Sequence, residues 1–277
     1  MSIRTIFPLS VALLLLTPGP GRAQQQSDPN CDQPDSSDCP TPLSRSLGAV
    51  EAYVTAPLHW HASDWLLFGS ALTVIGVAHH YDSEVRTHFT QNSPIALSTA
   101  NAHTIQDALP AAALFVGTWG FANLLDDNDG RHEAGAMLEA TVLSIGTAYV
   151  LNYASGRKGP DQTADANRWW SGGSSSFPSE HTTAAFAIGT VLAESGNSRY
   201  RWPRRVLGYG VAGFTAYERL KHNAHWLSDT AAGAALGAAS ARFAMDREPG
   251  HRNPSTAMVA LTPLPHGLMF RYTLPLP

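Results

Sequence analysis

Hydrophobic positions along this chain gather in long runs, separated by short breaks that carry Gly, Pro or charge. The runs Trp65 to His80, Ala108 to Leu125, Glu133 to Tyr153, Thr182 to Glu194, Val206 to Leu220 and Trp226 to Met245 each predict a helix of several turns. A shorter helix is predicted from Leu47 to Val54, with Pro57 after it. Alternating patterns are absent until the tail, where Met258 to Leu261 and Leu268 to Thr273 flank Pro-Leu-Pro-His-Gly and suggest a hairpin. The expected fold is all-α, a helical bundle with a short C-terminal β-hairpin-like tail.

The ends differ from the middle. Residues 1–23 have an early Arg4, a short apolar run to Leu16 and a small residue at Ala23, the pattern of a cleaved secretory signal peptide. Residues 24–44 are rich in Gln, Ser, Asp and Pro and read as a disordered leader. That leader holds both cysteines, Cys31 and Cys39, which an oxidising compartment would let close a small loop. Residues 45–250 form the helical domain and 251–277 an extension. The location expected is export, periplasmic or secreted, with a membrane surface as a partner.

Charged residues make up only 14% of the chain, against about a quarter in an average domain. The net charge of −4 and the lack of a basic stripe argue against nucleic acid. Three apolar runs reach about 17 residues, the lower limit for a membrane span. The runs that carry the candidate chemistry are shorter, richer in Ala and Gly, or charged. A compact periplasmic bundle is therefore expected over a polytopic membrane protein. Asp126-Asp127-Asn128-Asp129-Gly130 looks like a calcium loop, but Leu125 and Ala136 fall at its first and twelfth positions, so a helix–helix turn is expected. His59, His61, His79 and His80 are read as helix-end surface residues, and Trp169 and Trp170 as packing. No metal site is expected.

Two stretches carry chemistry. In Arg219-Leu-Lys-His-Asn-Ala-His225-Trp-Leu-Ser-Asp229, a helix starting near His225 places Asp229 one turn on. A carboxylate there accepts the Nδ1 proton and leaves Nε2 as a nucleophile. Arg219 is a planar, permanent cation suited to phosphate oxygens. Upstream, Pro178-Ser179-Glu180-His181 precedes an apolar run, with Ser179 as N-cap and His181 in a first turn that favours anions.

The R-x5-H-x3-D and P-S-x-H strings, in that spacing and in order, resemble two of three signatures of the type 2 phosphatidic acid phosphatase (PAP2) and vanadium haloperoxidase superfamily. The resemblance covers roughly residues 105–245. The third signature is a Lys, six residues, then Arg-Pro. Here it is altered: Asn152 holds the Lys position and Gly159 the Arg position, before Pro160. Glu180 stands where the pattern has Gly, and Glu218 where it has Ser. Two cations lost and two carboxylates gained make the site about four charges more negative than the pattern.

The resemblance implies a helical-bundle phosphatase that acts without metal or other cofactor on a phosphate monoester or diphosphate, small or lipid-linked. His225 would form a phosphohistidine, held by Asp229. His181 would protonate the leaving oxygen and then activate water. Arg219, the Ser179 hydroxyl and the Ser179–Glu180 backbone would cradle phosphate, with Arg157 and Lys158 replacing part of the lost cation pair. The altered signature keeps two other readings open: an impaired PAP2-fold protein that binds an anion, lipid or protein, and a vanadate-dependent haloperoxidase.

Overall fold

Alanine and glycine set how closely these helices pack. The computed structural model describes residues 42–92, 104–172, 175–247, 258–264 and 267–273. The proposed signal peptide, the cysteine-bearing leader up to residue 41 and Gly173 lie outside the described residues. The helices are α1 Pro42–Thr55, α2 Ala62–His80, α3 Asp82–Asn92, α4 Thr104–Leu124, α5 Asn128–Ser155, α6 Glu180–Glu194, α7 Arg201–Lys221 and α8 Leu227–Arg247. The predicted helices are all present, each somewhat longer than its apolar run. The all-α expectation holds. Strands β1 Met258–Leu264 and β2 Gly267–Thr273 pair antiparallel, Met258 opposite Thr273, which gives the expected hairpin.

The chain divides into two units, residues 71–251 and residues 1–70 with 252–277. In the second unit, Trp60, Trp65 and Phe68 form an aromatic cluster at the start of α2, with Trp65 edge-to-face to the other two. The site lies wholly in the first unit. Its hub is α6, buried from Thr182 to Ala193 except Ala184, and packed by α4, α5, α7 and α8. Close approach explains the glycines at these crossings. A Cβ on Gly189 of α6 would strike the Gly208 backbone of α7, and the reverse. A Cβ on Gly237 of α8 would strike the Thr183 carbonyl. Gly208→Ala is expected to cost about 1–3 kcal/mol through overpacking, read from urea denaturation. A variant as stable as the parent would show that this crossing yields.

The outer faces are strongly apolar. Leu109, Val116, Trp119 and Phe121 of α4, and Val142 and Val150 of α5, are more than half exposed. Helices α2 and α5 are long and apolar enough to cross a membrane.

Polar α3 was not expected at all, because no apolar run marks it. It starts at Asp82, and Arg86 on its first turns donates to the Pro160 carbonyl at 3.0 Å. At Asp126–Gly130 the expected turn is present: Asp126 is left-handed (φ 52°), and Arg131 binds Asp126 and Asn128.

Candidate active site

Three chain segments converge at one end of the bundle. The Ser179 N–H donates to the Asp229 carbonyl at 3.0 Å, so the N-termini of α6 and α8 lie side by side. Gly233 permits this approach, since a Cβ there would lie 2.7 Å from the Ser179 carbonyl oxygen. Two helix N-termini pointing to one place favour an anion. The third segment is the loop 156–179. Gly156 ends α5 in the left-handed conformation (φ 52°), with its N–H on the Asn152 carbonyl. The loop then folds back, with Trp170 N–H on the Ser155 carbonyl and Ser176 N–H on the Arg157 carbonyl.

His225 stands just before α8 with a side chain 11% exposed. Its Nδ1 lies 2.8 Å from the Ser176 carbonyl and 3.8 Å from Asp229 Oδ2. The expected Asp229 acceptor is thus replaced by a backbone carbonyl. The tautomer is the same, because a carbonyl accepts only from Nδ1–H, and Nε2 keeps its lone pair. Asp229 is engaged elsewhere. Its Oδ2 accepts the Trp226 N–H at 2.9 Å, a cap on α8, and its Oδ1 accepts from Arg157.

Arg157 does not open onto a pocket. It is fully buried and bridges Asp229 to Asp82, which it meets at 2.7 Å. It also donates to Ser228 Oγ and the Ala166 carbonyl, both at 2.8 Å, and Trp169 stacks over it at 4.4 Å. Asp82 in turn accepts the Ser228 N–H and hydroxyl, and His79 Nδ1 sits 2.9 Å from it. The expected phosphate-binding role for Arg157 gives way to an internal one: its charge already answers two buried carboxylates. His79, read as a surface residue, belongs to this network and also reaches Asn167 at 2.9 Å.

Ser179 caps α6 as expected, but its hydroxyl meets Thr182 and its N–H meets Asp229, so both donors have protein partners. Glu180 and His181 occupy the first turn of α6 and are half-buried. Lys158 Nζ donates to the Gly172 carbonyl at 2.8 Å. In the Lys position of the altered signature, Asn152 Nδ2 reaches the Pro178 carbonyl at 3.1 Å, tying α5 to the entrance of α6.

Arg219 is buried beside Asp107, with Nη1 2.7 Å from the carboxylate. His222 Nδ1 shares that carboxylate at 3.2 Å. Asp107, Glu218 and His222 have the composition of a metal trio, their ligand atoms within 4.8 Å. Arg219 on Asp107 and Lys221, 3.1 Å from Glu218, already supply positive charge there. Arg219 Nε, Asn223 Nδ2 and Ser176 Oγ are buried and have no hydrogen-bond partner among the described residues. All three residues lie within the segments that hold His225.

Asp161 completes the site. Its carboxyl oxygen lies 2.5 Å from where a Cβ on Gly159 would sit, and the Ala224 carbonyl and Ser176 Cβ border the same space. Partial burial pushes its carboxyl above the ordinary carboxylate value, against the pull of its own and Gln162's N–H groups and the charges of His225 and Arg219.

Asp82, Asp107 and Asp161 were not anticipated. Asp82 and Asp107 sit in first turns, the only local hint, and Asp161 follows Gly159-Pro160 in a turn.

Paired helix N-termini, a tautomer-fixed histidine and buried arginines come together where the two motifs meet. Residues 133–250, which hold both motifs, match the model of the PAP2 superfamily. A lipid A 1-phosphatase from Porphyromonas gingivalis is 38% identical over 113 residues, 39% of this chain and 23% of that relative. The chain therefore spans less than a quarter of the curated relative's length. No solved structure matches.

Proposed function

We propose that this protein is a phosphatase that hydrolyses a phosphate monoester or diphosphate, lipid-linked by preference, through a phosphohistidine on His225. The observation that carries this reading is the His225 Nδ1 contact to the Ser176 carbonyl at 2.8 Å, which leaves Nε2 as the nucleophile. The likeness to a lipid A 1-phosphatase supports a phosphorylated lipid as substrate class.

In this reading His225 Nε2 attacks phosphorus and the P–O bond to the leaving group breaks. His181 gives that oxygen a proton, then removes one from the water that cleaves the P–N bond. Arg219 Nε and the N-terminus of α6 at Glu180 hold the phosphoryl oxygens. Lys158 adds positive charge from the loop. Asp229 stabilises the imidazolium at 3.8 Å and fixes the start of α8. Arg157 and Ser179 act as positioning residues for Asp229 and α6. No step requires a metal.

The proposed setting is export with the apolar faces of α4, α5 and α7 against a lipid surface. The exposed leucines, valines and tryptophans of those helices support it. A second reading, anion binding without turnover, has one observation in its favour: the charge of Arg219 is shared with Asp107.

The test is phosphate release from p-nitrophenyl phosphate, phosphatidic acid and a polyprenyl diphosphate, with and without EDTA. Turnover that resists EDTA and is fastest on a lipid substrate is expected. No turnover on any of them by the folded full chain would leave the binding reading. His181→Ala is expected to slow phosphatidic acid far more than p-nitrophenyl phosphate, whose leaving group needs no proton. Equal losses in the rate of the first, phosphoryl-transfer step on both would remove His181 from the leaving-group step.

A further inference from the structure

Gly159 brings no side chain to the site, and the space it leaves is occupied by its neighbour two residues on. The Asp161 carboxyl oxygen sits 2.5 Å from the Cβ position of Gly159, between Ser176 and Ala224. Those two residues flank His225, one through its carbonyl and the other through the chain. Arg219 at the end of α7 and the His225 ring before α8 lie near enough to Asp161 to favour its charged form. From α3, Arg86 donates to the carbonyl of the preceding Pro160. A phosphate attacked by His225 lies beside the same ring and draws on Arg219. Two anions would then meet over one arginine.

We propose that Asp161 is a substrate-contacting residue of this site, and that its carboxyl takes up a proton to donate a hydrogen bond to a phosphate oxygen. The proposal rests on the phosphatase reading of the same site. Like charges at contact distance do not both stay ionised, and one of the pair takes a proton. Burial already favours the neutral form of Asp161, while the phosphoryl group keeps its charge through helix N-termini and Arg219. Asp161 is thus a gate on anion affinity. Below its pKa it is a donor and the site holds phosphate; above it a carboxylate competes for Arg219. Because the folded pKa is raised, the gate opens toward acid, at a pH above that of a free aspartate.

The consequence for substrate choice follows from charge. At neutral pH the site accepts a dianionic phosphate only with proton uptake, so it favours substrates that arrive with fewer charges on the reacting phosphorus. A phosphodiester-like inner phosphate of a diphosphate, or a monoester carrying its own proton, fits better than a dianion.

The experiment uses sulfate, whose charge does not change over the range used, and calorimetry on the full chain, parent and Asp161→Asn. Titrations run from about pH 4.5 to about pH 7.5, above the range of a free aspartate. The parent is expected to lose affinity about tenfold per pH unit above the Asp161 titration, with proton uptake on binding. Asp161→Asn is expected to lose that segment of the profile and to bind more tightly than the parent at neutral pH. Asp161→Ala, which cannot donate, should show the same flattening with weaker binding at acid pH. Equal affinities and equal slopes in parent and variants would overturn the assignment of Asp161 alone. No saturable sulfate binding by either folded protein would overturn the anion site and this proposal with it.

Discussion

Arg157→Ala is expected to destabilise the protein by about 3–5 kcal/mol, enough to threaten folding of residues 71–251. The reason is desolvation. Asp82, Arg157 and Asp229 are each fully buried, and Arg157 is the shared cation of the two carboxylates. Removing it leaves two charges in a region without water to receive them. The guanidinium also stacks on Trp169 at 4.4 Å and closes the gap between the loop and α8. Arg157→Lys should recover only part of the loss, because one ammonium cannot donate in the planar fork that spans Asp82 and Asp229. The check is equilibrium urea denaturation of the parent and both variants. A loss under about 1 kcal/mol for the alanine variant would place this network in the class of solvent-screened pairs.

His225→Ala is expected to leave the fold nearly intact and to lower turnover by at least about 10⁴-fold. Among the described residues the side chain makes one hydrogen bond, to the Ser176 carbonyl, so its structural share is about 1 kcal/mol. Its catalytic share in the phosphatase reading is the whole covalent route. Asp229→Asn should cost less in rate than His225→Ala, since the tautomer is set by a backbone carbonyl and not by the carboxylate. Rates for both variants beside circular dichroism separate the two effects. A His225→Ala variant within tenfold of the parent would exclude a phosphohistidine.

Both results depend on parts of the site that were unequally visible in the sequence. The helices that carry the motifs are apolar, and their periodicity marked them. The N-cap at Ser179 was legible because capping chemistry is local. The role of Asp229 was half legible. Spacing placed it one turn from His225, yet its oxygens turned to Trp226 and Arg157, which sequence distance does not reveal. Asp82 was invisible for two reasons. Its helix has no apolar stripe, and its partners lie 75 and 146 residues away. Arg157 and Lys158 are adjacent in the altered signature and seemed interchangeable as phosphate ligands. Folding sends Arg157 into the core and Lys158 to a loop carbonyl. Asn152 and Gly159 read as losses because each lacks a charge. In three dimensions one ties α5 to the Pro178 carbonyl and the other makes room for Asp161. The expectation of a water-surrounded bundle came from short, Ala- and Gly-rich motif helices. Of those, α6 is the buried hub, while α4, α5 and α7 show apolar faces.

The central claim, that His225 takes the phosphoryl group before water does, is tested most directly by the stereochemical course at phosphorus. A chiral, isotopically labelled thiophosphate ester would be turned over by the full chain and the product configuration read by ³¹P NMR. Two successive in-line displacements, one by His225 and one by water, predict net retention. Net inversion would mean that water attacks the substrate directly, and the phosphohistidine account would be contradicted.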